Sequence, residues 1–307
     1  MQPPHTPQQP KGGPAMTAVI DNKAFVKGLS AAKVMAFAGK DDPTHAAVLL
    51  GTARVETAEV GSQNSLAFLA SDGISPGQAI FECDGDLPLV KFSLDQANQL
   101  LSAARGAASA VKKKDKEAST EVELSVVDEG STLLMRTLTD GALGEADSRH
   151  YIPLQDADDF PIRSVLKTLQ AKGAREILGA RGAGDDMSNA PLKVGKVQAF
   201  TAETIKKVGA IAAVFKEPVE IYTRAHPASI VTVTCAGVFR AVLAAHAYHP
   251  DLDVEDPEVA VATTLGDSGG AGAGADLADD EDEGPTVGAT GGEGGTDGDA
   301  LSENGAA

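Results

Sequence analysis

The sequence predicts a mixed α+β fold in which one β-α-β-β-β unit is repeated along the chain. Three observations predict it. Segments with apolar residues at helical spacing alternate with short runs rich in Val, Ile, Leu and Phe, which are typical of strands. Gly, Asp and Asn separate these runs and supply turns. The same order, one helix-like segment followed by three strand-like runs, occurs three times and indicates an internal repeat.

Unit 1 begins with the short strand TAVI, after which Asp21 is well placed to cap a helix. The helix is predicted over 22–39 and carries Phe25, Leu29 and Met35 on one side. Three strand-like runs complete the unit: AAVLLGTARVE at 46–56, SLAFLASDG at 65–73 and QAIFECDG at 78–85.

Unit 2 repeats this order. PLVKFS is its first strand, Ser93 or Asp95 can cap the helix predicted over 94–109, and KKKDKE at 112–117 is predicted to be a basic loop. The strands of unit 2 are TEVELSVVD at 120–128, STLLMRTLTD at 131–140 and SRHYIPLQD at 148–156.

Unit 3 opens with the strand KVQAF. A helix is predicted over 201–216, with Thr201 as its cap and Glu203 in its first turn. Its strands are PVEIYTR at 218–224, SIVTVTCAG at 229–237 and VFRAVLAAHA at 238–247.

The formal net charge of -18 is concentrated at the C-terminus. Residues 251–307 contain 16 acidic residues and no Lys or Arg, whereas the remainder is close to neutral. An acidic chain would ordinarily argue against a nucleic-acid partner, but here that argument applies only to the tail. The predicted organisation is a disordered leader at 1–16, a first domain of two units at 17–162, a linker or degenerate half-unit at 163–196, a second domain of one unit at 197–250, and a disordered acidic tail at 251–307.

No residue pattern indicates an enzyme, a metal site or a cofactor. The six His form no pair at metal-ligand spacing, and the Gly-rich stretches lack the strand-turn-helix setting that phosphate binding needs. Asp158 and Asp159 could act as an acid/base pair, although their setting favours a turn. Cys83 and Cys235 fit buried free thiols better than one disulfide. Without a signal pattern or a membrane-length apolar stretch, we expect a cytoplasmic protein with no membrane partner.

Several phrases resemble the DNA sliding clamps, the family of the bacterial polymerase β subunit and the proliferating-cell nuclear antigen. SRHYIPLQDADDFP resembles the ending of the first domain of bacterial clamps. IVTVTCAGVFRAVLAA is similar to their closing strands, and LAFLASDG places Ser71 and Asp72 at the family's turn after a strand. The chain departs from the family in having three units, since family members carry an even number.

The resemblance implies a clamp fold with antiparallel sheets outside and helices on the inner face, around double-stranded DNA. It also implies a homo-oligomeric ring, a DNA polymerase and a clamp loader as partners, and a polymerase peptide held in an apolar groove beside the linker. Candidate groove residues are Leu166, Leu169 and Ile177. Candidate DNA-facing residues are Lys23, Lys27, Lys33, Arg105, Lys112, Lys113, Lys114, Lys206 and Lys207.

Each of these assignments has an alternative. Helical Lys and Arg side chains commonly form nothing more than a solvated face, and core packing is the more ordinary role of the three candidate groove residues. A single-stranded DNA-binding protein also has an acidic C-terminal tail, although aromatic residues for base stacking make up only 4% of this chain. An enzyme with a scattered site is a further alternative. The tail could limit nonspecific DNA binding, compete with DNA for the basic faces, or aid solubility.

Overall fold

Over the described residues, helices and strands alternate in the order that the repeat predicts. Residues 196–199 of the predicted first strand of unit 3, KVQAF, lie outside the described residues. The computed structural model describes residues 16–39, 41–57, 61–114, 119–139, 148–172, 180, 182, 200–223 and 230–244. The helices are α1 (Asn22–Met35), α2 (Leu94–Lys114), α3 (Ile162–Gln170) and α4 (Ala202–Phe215). The strands are β1 (Thr17–Asp21), β2 (Ala47–Thr57), β3 (Gly61–Ser71), β4 (Pro76–Glu82), β5 (Asp84–Gly85), β6 (Val90–Ser93), β7 (Thr120–Val127), β8 (Thr132–Thr139), β9 (Ser148–Pro153), β10 (Val219–Thr223), β11 (Ile230–Cys235) and β12 (Phe239–Ala244).

Two antiparallel sheets are built by strands that units 1 and 2 exchange. The first strand of unit 1, β1, pairs with β7 of unit 2, and the first strand of unit 2, β6, pairs with β2 of unit 1. One sheet therefore has the order β5-β1-β7-β8-β9. The other has the order β10-β11-β12-β4-β3-β2-β6, in which β12 of unit 3 pairs with β4 of unit 1. The predicted α+β fold of repeated units is confirmed.

Helices α1, α2 and α4 share one apolar core with the inner faces of both sheets. Phe25 and Leu29 of α1 pack there, with Leu100 of α2 and Phe215 of α4, each buried. Phe68 of β3 meets the Phe25 ring edge to face, at 5.8 Å between centroids. The helices thus form a layer on one side of the sheets, as predicted.

The helix N-caps agree with the sequence in all three units. Asp21 accepts a hydrogen bond from the Ala24 backbone N–H at 2.9 Å, and Thr201 accepts one from Thr204 at 3.0 Å. At α2 the cap is Ser93, whose hydroxyl accepts from the Gln96 N–H at 3.3 Å. These bonds satisfy backbone donors that a helix leaves without an internal partner.

Two helix ends differ from the prediction by four or more residues. α1 ends at Met35, because Ala36 is extended and the Phe37 N–H turns away to bond the His45 carbonyl at 3.0 Å. α2 continues through Ala110 and Val111 to Lys114, so the first residues of the predicted basic loop are helical. Ala and Lys have high helix propensity, which allows this extension.

The segment predicted as a linker contains α3, which packs on the outer face of the seven-stranded sheet. Val165, Leu166 and Leu169 form a second core there with outward-facing side chains of β2, β3, β4, β11 and β12. The segment that leads into α3 is fastened to β6 by an ion pair between Lys91 and Asp159. The hydrogen bond from Lys91 lowers the pKa of Asp159.

We expect Asp159→Asn to lower the free energy of unfolding by about 1–3 kcal/mol, because the Lys91 side chain, 3% exposed, would lose its counter-charge. Since the pKa of Asp159 is lowered on folding, its contribution is present at neutral pH and is lost as the pH falls below about 4. Urea denaturation at pH 7 and pH 3 measures both effects. Asp158→Asn, at the exposed neighbouring position, is the control. If both variants lost the same free energy of unfolding, the Lys91–Asp159 ion pair would not be the cause.

Candidate nucleic-acid interface

The solvent side of the helix layer carries several of the predicted cations. α1 contacts α2 on one flank and α4 on the other. Its buried side faces the sheets, and Lys23 and Lys27 lie on the opposite side together with Ser30 and Val34, at spacings of three or four residues. Lys23 is exposed and Lys27 is partly exposed.

A second group of cations lies at the seam between α1 and α2. The Lys33 ammonium donates to the Asn98 side-chain oxygen, and Arg105 donates to the Ser30 hydroxyl at 3.1 Å. Burial lowers the pKa of Lys33, and the Arg105 charge lowers it further. The two cations at this seam therefore repel each other, and a bound anion such as a phosphate would relieve the repulsion.

The adjacent Lys206 and Lys207 of α4 have different surroundings. Lys206 is exposed on the solvent side of the layer. The Lys207 side chain is only 12% exposed and donates to Asp72, itself 14% exposed, in the turn between β3 and β4. Its ammonium also lies 3.5 Å from Glu203. Two carboxylates thus neutralise Lys207, which ties unit 3 to unit 1 and leaves Lys206 as the accessible charge.

Three more predicted cations lie at the end of α2, and two acidic residues lie at the starts of α2 and α4. The backbone of Lys112, Lys113 and Lys114 is the last turn of α2, and their side chains lie outside the described residues. Asp95 and Glu203 stand in the first turns of α2 and α4, where carboxylates are favoured by the helix dipole.

The predicted groove residues have mixed positions. Leu166 and Leu169 are buried against the outer face of the sheet, in the second core. Ile177 lies outside the described residues.

A groove is nevertheless present beside α3, and the sequence analysis proposed none of its lining residues for a groove. It has a volume of about 280 Å³ and lies between the β3–β4 turn and the start of α3. Ile74, which is 61% exposed, and Pro76 line it from the turn, with Pro161 and Val165 opposite. The sequence signal for this groove was an Ile within the polar turn SDGISPG. The signal was insufficient because the opposite wall exists only once α3 packs against the sheet.

Both cysteines are free and have protonated thiols at neutral pH. Burial, together with the charges of Asp84 and Asp86, raises the pKa of Cys83 to about 12. Burial also raises the pKa of Cys235, which is fully covered. Since the thiolate is the reactive form, neither group has the environment of a nucleophile.

A larger cavity, of about 540 Å³, lies where β1 and β5 meet. Asp21, Glu82, Asp84 and Glu121 line it, so its charge is negative. Over the described ranges, no three His, Cys, Asp or Glu side chains are arranged to hold a metal ion. Within the same residues, no helix is both long and apolar enough to cross a membrane.

Comparison with solved structures finds similar folds among bacterial sliding clamps. The DNA polymerase III β subunit of Thermotoga maritima is 13% identical with a TM-score of 0.44, over 77% of this chain and 66% of that one. The corresponding subunit of Pseudomonas aeruginosa is 12% identical, with a TM-score of 0.43 over 76% and 65%. Caulobacter crescentus pol III β is 12% identical, with a TM-score of 0.49 over 78% and 68%.

This likeness concerns the fold and not the activity. The chain spans slightly less than two thirds of the length of the Thermotoga and Pseudomonas subunits. No family model matches the sequence, and no curated protein matches it either. The solved structures found are of the family that the sequence is predicted to resemble.

We expect Lys207→Met to lower the free energy of unfolding by about 1–3 kcal/mol, because Asp72 would be left largely buried without its ion-pair partner. Lys206→Met is the matched control and should change stability by less than about 0.5 kcal/mol, since Lys206 is exposed. Chemical denaturation of both variants checks this. Equal stability of the two would show that the Lys207 ion pair does not fasten unit 3.

Proposed function

We propose that this protein is a non-catalytic, sliding-clamp-like processivity factor that encircles duplex DNA and holds a replicative DNA polymerase at its substrate. The observation that carries the proposal is the layer of three neighbouring helices, one from each unit, with Lys23, Lys27 and Lys206 on its solvent side. Such cations contact phosphates without reading sequence. A protein that must move along DNA requires contacts of this kind.

Retention on DNA would then depend on topology more than on affinity. A closed ring cannot leave a duplex without opening, so weak and mobile phosphate contacts are sufficient. The ring requires additional copies of the chain, and β9 is the element that ends the five-stranded sheet among the described strands. Its equivalent in unit 1, β4, already pairs with β12 across the boundary to unit 3. We infer that β9 offers the corresponding edge to another copy.

A polymerase and a clamp loader are the proposed protein partners, in the cytoplasm and without a membrane. The groove between Ile74, Pro76 and Val165 is the candidate site for a short apolar peptide of such a partner. One wall of the groove is α3, which packs on the outer face of the sheet, so we expect a bound partner to leave the DNA unobstructed. Tethering would raise the local concentration of the polymerase at the primer end.

Charge reversal tests the DNA-facing surface. We expect the double variant Lys23→Glu/Lys206→Glu to bind duplex DNA about tenfold more weakly. The slope of log affinity against log salt concentration should also become shallower, by about 0.9 for each phosphate that the variant no longer neutralises. Arg163→Glu/Lys167→Glu makes the same charge change on exposed positions of α3, on the outer face, and should leave both quantities nearly unchanged. If both variants weakened DNA binding equally, binding would depend on the net charge of the protein and not on the solvent side of the helix layer.

Encirclement is tested by DNA topology. We expect the protein to remain on a nicked circular duplex after a wash with about 1 M salt, which screens phosphate contacts, and to dissociate once the circle is linearised. Blocking both ends of the linear duplex should restore retention. Equal retention on open linear and circular DNA would contradict encirclement and would favour ordinary electrostatic binding. Stronger binding to single strands than to the duplex would favour a single-stranded DNA-binding protein.

A further inference from the structure

Unit 3 differs from units 1 and 2 because, within the described residues, no other unit exchanges a first strand with it. Units 1 and 2 exchange their first strands, and their helices pack in opposite directions. The direction follows from two contacts: Lys33 near the end of α1 meets Asn98 near the start of α2, and Asn22 at the start of α1 donates to the Ala104 carbonyl at 2.9 Å. Two such units therefore complete a domain through an approximate twofold axis.

One flank of α4 is apolar and exposed. Lys207 faces unit 1, since it bonds Asp72 there. Successive residues of a helix are about 100° apart, so Ile205 lies roughly on the opposite flank. Ile205 is 60% exposed and forms an apolar stripe with Val208 and Ala212, at spacings of three and four residues. On α1, the corresponding flank carries Ser30 and Lys33, which contact α2.

The sheet beneath this flank is also incompletely covered. Ile221 of β10 lies opposite Val233, a residue of the inner core, and so faces the helix layer. It is 40% exposed. In unit 1 the inward-facing residues of the corresponding strand, Val48 and Leu50 of β2, are fully buried. The comparison indicates that unit 3 lacks the cover that unit 2 gives to unit 1.

We propose that unit 3 of a second copy of this chain covers the face formed by Ile205, Val208, Ala212 and Ile221. α4 would pack antiparallel on α4 of the other copy, as α1 packs on α2. A twofold axis brings the same patch from both copies together, so an apolar patch becomes self-complementary. Two half-domains would then form one complete domain, and an odd number of units per chain becomes an even number per dimer.

The stretch between units 2 and 3 is too short to supply a further unit as this cover. α3 lies on the opposite face of the sheet, and its end is held there by Arg240, which donates to the Ala171 carbonyl at 3.1 Å. The stretch 173–199 has 27 residues, whereas unit 2 uses the 64 residues from 90 to 153. A second copy brings a full unit of matching shape. The inference rests on the fold, and it holds whether or not the protein encircles DNA.

Mass measurement in solution without DNA tests it. We expect the full chain, at micromolar concentration, to sediment as an even multiple of its 31.3 kDa mass. Ile205→Glu should shift the protein toward smaller species at a given concentration, because it places two carboxylates in an apolar contact. Ile221→Glu, on the same face, should have the same effect. Ile74→Glu is the matched control, since Ile74 is equally exposed but lies in the groove beside α3, and it should keep the parental mass.

Circular dichroism and thermal melting establish that each variant folds, as expected for exposed positions. A monomeric parent would overturn the proposal, and so would an Ile205→Glu variant that keeps the parental mass. Either result would be expected if residues 173–199 cover the face within one chain. Because DNA is absent, failure here is distinct from failure of the proposed clamp function, which the circular-DNA experiment measures.

Discussion

The exchange of first strands between units 1 and 2 is the constraint on which the rest of the structure depends. A strand at the end of a sheet leaves its backbone donors and acceptors open, and each unit closes the sheet of the other. β1 pairs with β7 over five residues, and β6 pairs with β2 over four. The exchange brings α1 and α2 together on one side. Unit 3 extends the same layer by pairing β12 with β4, so three helices share one surface.

The seven-stranded sheet is buried on both faces where α3 covers it. This explains the continuous apolar run from Ala47 to Leu50 in β2, in which every residue is buried. Val48 and Leu50 face the helix layer, whereas Leu49 faces α3. A sheet covered on both faces needs apolar residues without alternation. The fixed position of α3 also creates the groove, so the outer core determines where a partner peptide could bind.

The lysines of this chain have different roles because their neighbours differ. Lys207 of α4 is enclosed with carboxylates, as is Lys91 of β6, and both join elements that are far apart in the sequence. A buried ammonium that lost such a partner would destabilise the fold. Lys23 and Lys206 face solvent, and their charge is available to an external anion. The enclosed lysines thus contribute to stability, whereas the proposed interface depends on lysines of the solvent side.

The sequence by itself determined the repeat, the order of helices and strands, and the caps Asp21 and Thr201, because periodicity and capping act over a few residues. It also identified the candidate DNA-facing lysines of α1 and α4 as helical. Only the tertiary structure decided that Lys207 is enclosed by Asp72, 135 positions away, while its neighbour Lys206 is exposed. The tertiary structure alone also showed the strand exchange, the groove at Ile74 and the exposed flank at Ile205. All of these depend on contacts between distant segments, whose geometry local patterns do not encode.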